Sequence, residues 1–446
     1  MYNVLINAYA VAPNWGSEQG MGWNWVSNLA KFCNLYIITE GEWQKEIEQS
    51  LAAAMANSME KSNNPTGLTC EQAERMHFYY LPVSKEVREM CWNQGTWKFY
   101  IYYEQWERRA FEKAKEIIAT YAEVPGRQVD VIHKLNMICY REPSYLWKIK
   151  DIPFVWGPIG GYAGMPNPYL QGEPIMSILK ENVKNWINYI TFHFQPRVGK
   201  AAKRADAIVG AYKETYEALR DVYRPDTVLI NETGAFIDVS SKPHASDKKE
   251  LNLLWVGKYD LRKQLGIAIR TMELLVRRTH QPKKNIHLWV VGTGYPKDVE
   301  KYSKMVEEKG LKENVHLMGV VPNVKTRELM KEMDLFFFTS VHDATSTVVP
   351  EAISAGLPVI CHNMRGFGII VDDKIGRKVQ PHNPETSAQE FAKIIASLDN
   401  DRREIRKMSA GCIERQREIS WEANARKMVN EYEKAIEKFN VNNKYL

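Results

Sequence analysis

Two carboxylates, Asp343 and Glu351, stand eight positions apart, and between them lie Ala344, Thr345, Ser346 and Thr347. The apolar run Leu335–Phe338 precedes them, and a helical pattern starting near Glu351 follows. This is a strand-to-helix loop. Carboxylates accept paired hydrogen bonds from vicinal hydroxyls. Hydroxyl residues suit helix starts, whose free N–H groups attract phosphate. Sugar-nucleotide binding fits that chemistry. By spacing alone, the bland alternative is the stronger one: Asp343 caps a turn and Glu351 is a solvated helix residue.

Three further loops carry candidate chemistry. Lys258, Arg262 and Lys263 follow the strand pattern Leu251–Val256, and cations on one such loop can hold a diphosphate. Exposed loops commonly carry lysine as well. Gly292 and Gly294 end the next strand and permit close backbone approach, as any tight turn does. Near the N-terminus, glycines stand at 16, 20 and 22 with Glu18 between them. That spacing is not GxGxxG, and GxxxxGK[ST] is absent, so neither a dinucleotide fold nor a P-loop is supported. Glu18 is open to a cap role or a polar contact with substrate. His133 ends the strand pattern Val129–His133, where a substrate contact and a satisfied structural contact weigh about evenly.

The elements that must position these loops alternate between strand and helix. Val4–Tyr9, Leu35–Thr39, Phe78–Val83, Val129–His133, Phe154–Trp156, Ala207–Val209 and Val228–Ile230 read as strands, and residues 97–121 and 175–204 as helices. Residues 57–75 read as a loop or insertion. Lys242 to Lys249 is the best linker candidate, and after it the strand–helix grammar restarts. The pattern predicts two α/β lobes with parallel sheets. Their strand ends are expected to face a cleft.

Composition narrows the class. The 446 residues carry a net charge of +6 with no long basic run, which argues against a nucleic-acid partner. Six scattered cysteines without a CxxC pair exclude a zinc ribbon and suit a reducing compartment. No apolar run reaches the ~18 residues of a membrane helix. The expected location is the cytoplasm, with room for peripheral contact at the inner face of a membrane.

The ordered segments WVGKYDLRKQ, VVGTGY, HLMGVV and DLFFFTSVHDATSTVVPEAISAGLPVI resemble the retaining GT-B glycosyltransferases of family 4, the glycosyl transferases group 1. Their E-x7-E hallmark appears here as D-x7-E. In the first lobe NWGSEQGMG, DVIHKLN, REPSYLW and VWGPIGG agree more loosely. The resemblance implies two Rossmann-like lobes: 1–240 on the acceptor side, 241–420 on the donor side, and a helix over 421–446 crossing back to the first. It implies that Glu351 holds the nucleotide ribose and that Asp343 meets the donor sugar, with the N–H groups of Ala344 to Thr347 nearby. Lys263 takes the place of the diphosphate lysine, and Lys258 stands where relatives usually have Arg. His133 matches a catalytic histidine, and Lys134 replaces a second histidine found in some members. The glycine loop from Gly16, with Glu18, and Gly292 and Gly294 would lie close to the donor.

The activity so implied is metal-independent hexosyl transfer, with retention, from a UDP- or GDP-linked sugar to a glycan or lipid-linked acceptor, as in bacterial surface polysaccharide or lipopolysaccharide synthesis. No cofactor is expected, since the nucleotide sugar is a substrate. Two alternatives share the fold: a sugar-nucleotide 2-epimerase and a non-catalytic partner subunit. Aromatic residues in 92–111 and a basic-aromatic stretch over 176–204 are open to two readings. They stack on sugars or rest on anionic lipid, or else they form helix-packing core with a solvated basic face; the core alternative is somewhat favoured.

Overall fold

Seven apolar runs form the first sheet of the computed structural model, which describes residues 1–56, 67–93, 96–238, 242–244, 249–277 and 282–443. They are β1 (Tyr2–Ala8), β2 (Cys33–Thr39), β3 (Met76–Tyr80), β4 (Val131–Asn136), β5 (Phe154–Ile159), β6 (Ala207–Gly210) and β7 (Val228–Leu229). The order is β3-β2-β1-β4-β5-β6-β7, and every pairing is parallel. Residues 57–66 and 245–248, within the expected insertion and linker, lie outside the described residues.

A second sheet holds β8 (Leu251–Val256), β9 (Ile286–Val291), β10 (Val315–Gly319), β11 (Leu335–Phe338), β12 (Val359–His362) and β13 (Gly376–Val379). Its order is β10-β9-β8-β11-β12-β13, again all parallel. Parallel strands buried on both faces read as near-continuous apolar runs; Leu335–Phe338 is buried throughout. In both sheets the order of strand addition reverses beside the first strand, between β1 and β4 and between β8 and β11. Ligands of doubly wound sheets bind outside the carboxyl ends of strands at such points.

The chain divides into two compact units: residues 1–163, 187–232 and 421–446, and residues 164–186 with 233–420. The final helix, Trp421–Asn443, packs on the first unit. It buries Trp421, Ala425, Met428, Tyr432 and Ala435, a spacing of three and four that makes one helical face. The indole of Trp421 meets Trp25 edge-on at 6.4 Å between ring centres.

Three expectations need correction. The N-terminal glycine loop is short, because a helix begins at Ser17 and runs to Leu29. Gly20 and Gly22 therefore sit inside a helix: a Cβ on Gly20 would lie 1.9 Å from the Trp15 carbonyl oxygen, and one on Gly22 would lie 2.0 Å from that of Ala10. The fourth strand continues to Asn136, so His133 is in its middle and not at its carboxyl end. The helix expected from Glu351 starts at Val348, which puts Glu351 in its first turn. Among the described residues, no helix is long and apolar enough to cross a membrane.

Candidate functional site

At the reversal point of the second sheet, the loops after β8 and β11 are laced together. The Val341 N–H donates to the Arg262 carbonyl at 3.0 Å, and the Ser340 hydroxyl donates to the same oxygen at 3.1 Å. The Thr339 hydroxyl accepts from the Trp255 indole at 2.9 Å and donates to the Lys263 carbonyl at 2.8 Å. These contacts bring Lys263 and Asp343, 80 positions apart, into a part-buried ion pair. Asp343 Oδ2 also lies 3.1 Å from Ser340 Oγ. Two residues of the candidate set thus form one unit of opposite charge.

The other cations of the first loop differ in availability. Arg262 is bound to Asp260, with Nη2 to Oδ2 at 2.6 Å. Lys258 is exposed, and no ion pair engages it among the described residues. Gly292 and Gly294 are accounted for by packing. Gly292 has φ +136°, and a Cβ there would lie 1.8 Å from the Gly257 carbonyl oxygen; one on Gly294 would lie 2.8 Å from Tyr259 Cβ. The glycines let the loops after β8 and β9 touch, which sets the Lys258–Lys263 loop in place.

Beyond Asp343 the chain turns through Ala344, Thr345, Ser346 and Thr347. Ser346 has φ +60°, and the Gly366 N–H donates to the Ala344 carbonyl at 2.9 Å. Thr345 is buried, while Ala344, Ser346 and Thr347 are part-exposed. Glu351 is part-buried in the following turn. Burial pushes its carboxyl up to about 7, opposed by the positive field of Arg327. Among the described residues no side-chain hydrogen bond relieves the carboxylate, which makes it a ready acceptor for ligand hydroxyls.

Two residues missed by sequence reasoning belong to this place. Arg365 follows β12, is buried at φ +56°, and donates to the Gly164 carbonyl. His342 precedes Asp343; burial pushes its ring down to about 4, and Arg365, Lys184 and Arg262 push it the same way. Burial is the main cause, and the three cations add to it. A basic residue followed by glycine at a strand end, Arg365-Gly366, was the readable signal.

In the first unit, His133 is fully buried. Its Nε2 lies 2.6 Å from the Gly157 carbonyl oxygen, and its Nδ1 lies 2.7 Å from the Tyr432 hydroxyl. Burial holds its pKa down at about 4. These are the contacts of a structural histidine, tying β4 to β5 and to the final helix. Its neighbour Lys134 is also buried and donates to Glu107 Oε1 at 2.6 Å, the Tyr103 hydroxyl at 2.7 Å and the Asn136 carbonyl at 2.6 Å. Asn7 Nδ2 completes the cluster by donating to Glu107 Oε2 at 2.7 Å.

Glu18 lies in the first turn of its helix, where the Ile138 N–H donates to it over 3.4 Å. Burial raises its carboxyl above the usual range, and Lys134 opposes that. A Cβ on Gly16, unlike one on Gly20 or Gly22, would meet no atom within 4 Å, so packing does not require glycine there. Lys258, Arg262, Lys263, Gly292, Gly294, Asp343, Ala344 to Thr347 and Glu351 all belong to the second unit, and Gly16, Glu18 and His133 to the first.

Comparison with known proteins adds a family to part of this geometry. Residues 236–411, which include every second-unit candidate, match the family described as Glycosyl transferases group 1. The D-inositol 3-phosphate glycosyltransferase of Corynebacterium glutamicum (strain R) is 25% identical over 246 residues, covering 51% of this chain and 57% of that protein. The lipopolysaccharide glucosyltransferase WaaG of Escherichia coli (strain K12) is 32% identical over 160 residues, 36% of this chain and 41% of its own. The chain spans about half the length of the curated relatives it matches. Among solved structures, Anabaena Alr3699/HepE in complex with UDP aligns with a TM-score of 0.58 at 12% identity, over 96% of this chain and 99% of that one. This likeness, with the two Rossmann-like parallel sheets, shows the GT-B fold.

Proposed function

We propose that the protein moves a sugar from a UDP- or GDP-linked donor to a glycan or lipid-linked acceptor, with retention, in the synthesis of a surface polysaccharide or lipopolysaccharide. The single observation carrying this reading is the Lys263–Asp343 pair at the β8/β11 reversal, with the unrelieved Glu351 carboxylate in the next turn. The matched family over residues 236–411 and the activities in the relatives' names support it.

In this reading Glu351 accepts the two ribose hydroxyls. Lys263, with Lys258 and Arg262, meets the diphosphate. Breaking the anomeric C–O bond leaves a nucleoside diphosphate, and these cations stabilise that developing charge without a metal. Asp343 orients the donor sugar, whose oxocarbenium-like centre needs positioning more than acid catalysis. His133 enters as a positioning residue through β5 and the final helix. No cofactor takes part.

The test is release of nucleoside diphosphate from a panel of UDP- and GDP-sugars, with product analysis by NMR. One donor is expected to turn over, with Glu351→Ala at background. No release or transfer with any donor sinks the reading, and an epimerised donor without transfer replaces it with the 2-epimerase alternative.

A pH dependence follows from Glu351. The carboxylate, not the acid, accepts both ribose hydroxyls, and the free group titrates at about 7. Affinity for the nucleoside diphosphate is therefore full above that value and falls as pH drops through it, by about tenfold between pH ~8 and pH ~6. Calorimetry at both pH values checks this; Glu351→Gln should bind weakly with no such slope.

A further inference from the structure

Among the described residues of the first unit, every lysine or arginine that is buried or half-buried is ion-paired to an acid, with the exception of Arg141. Its guanidinium is held by neutral oxygens alone. Nε donates to the Thr191 hydroxyl at 3.1 Å, Nη1 to the Tyr100 hydroxyl at 3.0 Å, and Nη2 to the side-chain oxygen of Asn188. The ring of Tyr140 lies 5.2 Å beneath it, and that ring is itself fixed, since the Tyr140 hydroxyl donates to the Asn188 main-chain carbonyl at 2.8 Å. A half-buried cation with no counter-ion is costly unless an anion arrives from outside. Here the cation is also held rigid, at the place where a ligand is expected. Arg141 follows β4, one of the two strands that flank the order reversal of the first sheet.

The donors left over select the anion. A guanidinium has five N–H groups. Three are spent here, which leaves one on each terminal nitrogen, the pair that grips two oxygens of an oxyanion. The Tyr100 hydroxyl accepts from Nη1, and among the described residues nothing accepts its proton. Burial raises the Tyr100 phenol, so that proton stays in place. Three donors therefore remain side by side. A phosphoryl group offers three strong acceptor oxygens and a carboxylate only two.

We propose that Arg141 and Tyr100 bind a phosphate group carried by the acceptor. The residues that form this site, Tyr100, Arg141, Asn188 and Thr191, all belong to the first unit, whereas Lys263, Asp343 and Glu351 belong to the second. Assigning the phosphate to the acceptor rests on the sugar-transfer reading; the phosphate site itself does not.

The test is calorimetric titration of the full-length Lys263→Ala protein, from which the proposed donor-diphosphate contact has been removed. The probes are glucose 6-phosphate, geranyl diphosphate and, as the carboxylate control, glucuronate. Adding Arg141→Gln is expected to weaken binding of the phosphate probes about tenfold or more, and adding Tyr100→Phe about fivefold. Arg141→Lys keeps the charge without the paired grip and should recover only part of the loss. Circular dichroism checks the fold of each variant, and Tyr100→Phe, which removes one oxygen atom, keeps the test decisive if Arg141→Gln does not fold. Tighter binding of glucose 6-phosphate supports the site with a sugar phosphate as its ligand, and tighter binding of geranyl diphosphate supports it with a lipid-linked one. No saturable binding of either probe overturns the proposal, as does binding unchanged by both Arg141→Gln and Tyr100→Phe. Glucuronate bound as tightly as glucose 6-phosphate overturns it too. Nucleoside diphosphate binding by the unsubstituted protein is read separately, so a failure here and a failure of the donor site are told apart.

Discussion

Lys263→Ala is expected to lower kcat/KM for the nucleotide-sugar donor by about 100- to 1000-fold, the loss seen when one preorganised donor to developing negative charge is removed. The ion pair with Asp343 makes the prediction sharper. In the free protein the ammonium is held by the Asp343 carboxylate against the laced loops after β8 and β11. An incoming diphosphate shares or displaces that partner. Asp343→Ala therefore releases Lys263 to the ligand: diphosphate affinity holds or rises while sugar transfer falls. Lys263→Ala loses both. Titrating the nucleoside diphosphate by calorimetry, beside steady-state kinetics, separates the two variants. Equal loss of affinity in both would mean that the pair is only structural.

Lys134→Ala is expected to cost about 3–5 kcal/mol of stability in the first unit, because it strips the partner from a buried charge. Lys134 is 2% exposed and Glu107 is fully buried. After the substitution Glu107 keeps only neutral partners, the Asn7 amide and the Tyr103 hydroxyl, and the Tyr103 hydroxyl and Asn136 carbonyl lose their shared donor. The double variant Lys134→Met with Glu107→Leu removes both charges together, and it should recover much of the loss. Urea denaturation followed by far-UV circular dichroism reads the difference. A Lys134→Ala variant as stable as the parent would contradict the buried network.

How much of this was legible depended on distance along the chain. Lys258 to Lys263 sit within one loop at a strand end, and Asp343 to Glu351 run from another such loop into the first turn of the next helix, so residue type and spacing exposed them. The ion pair between those loops needed the sheet order, which places β11 beside β8. The position of His133 was misjudged for a related reason. The apolar pattern breaks early, because Lys134 and Asn136 continue the strand as buried, satisfied polar residues. The ring's own partners come from Gly157 and Tyr432, far away in sequence. A lysine inside a parallel strand was a signal that a buried acid had to exist. Its identity as Glu107, amid the aromatic helix Trp97–Tyr121, was beyond periodicity.

The two aromatic stretches resolved in opposite directions. In Trp97–Tyr121, Phe99, Tyr103 and Trp106 are core, which is the packing alternative. In Ile175–Phe194, most of the apolar residues face outward. A helical period shows that a face exists; it does not show which neighbour meets it. Likewise, the glycines at 20, 22, 292 and 294 were visible as glycines, but only their close contacts show that packing requires them.

The central claim is that the β8 and β11 loops of the second unit hold a nucleoside diphosphate. Thermal unfolding with UDP, GDP and the matching nucleosides at a pH above the Glu351 titration tests it most directly. One diphosphate, at ~100 times its dissociation constant, should stabilise the protein by about 2.7 kcal/mol. The nucleoside should do far less, and Lys263→Ala should remove the difference. No shift with either diphosphate, or the same shift in Lys263→Ala, would contradict the account.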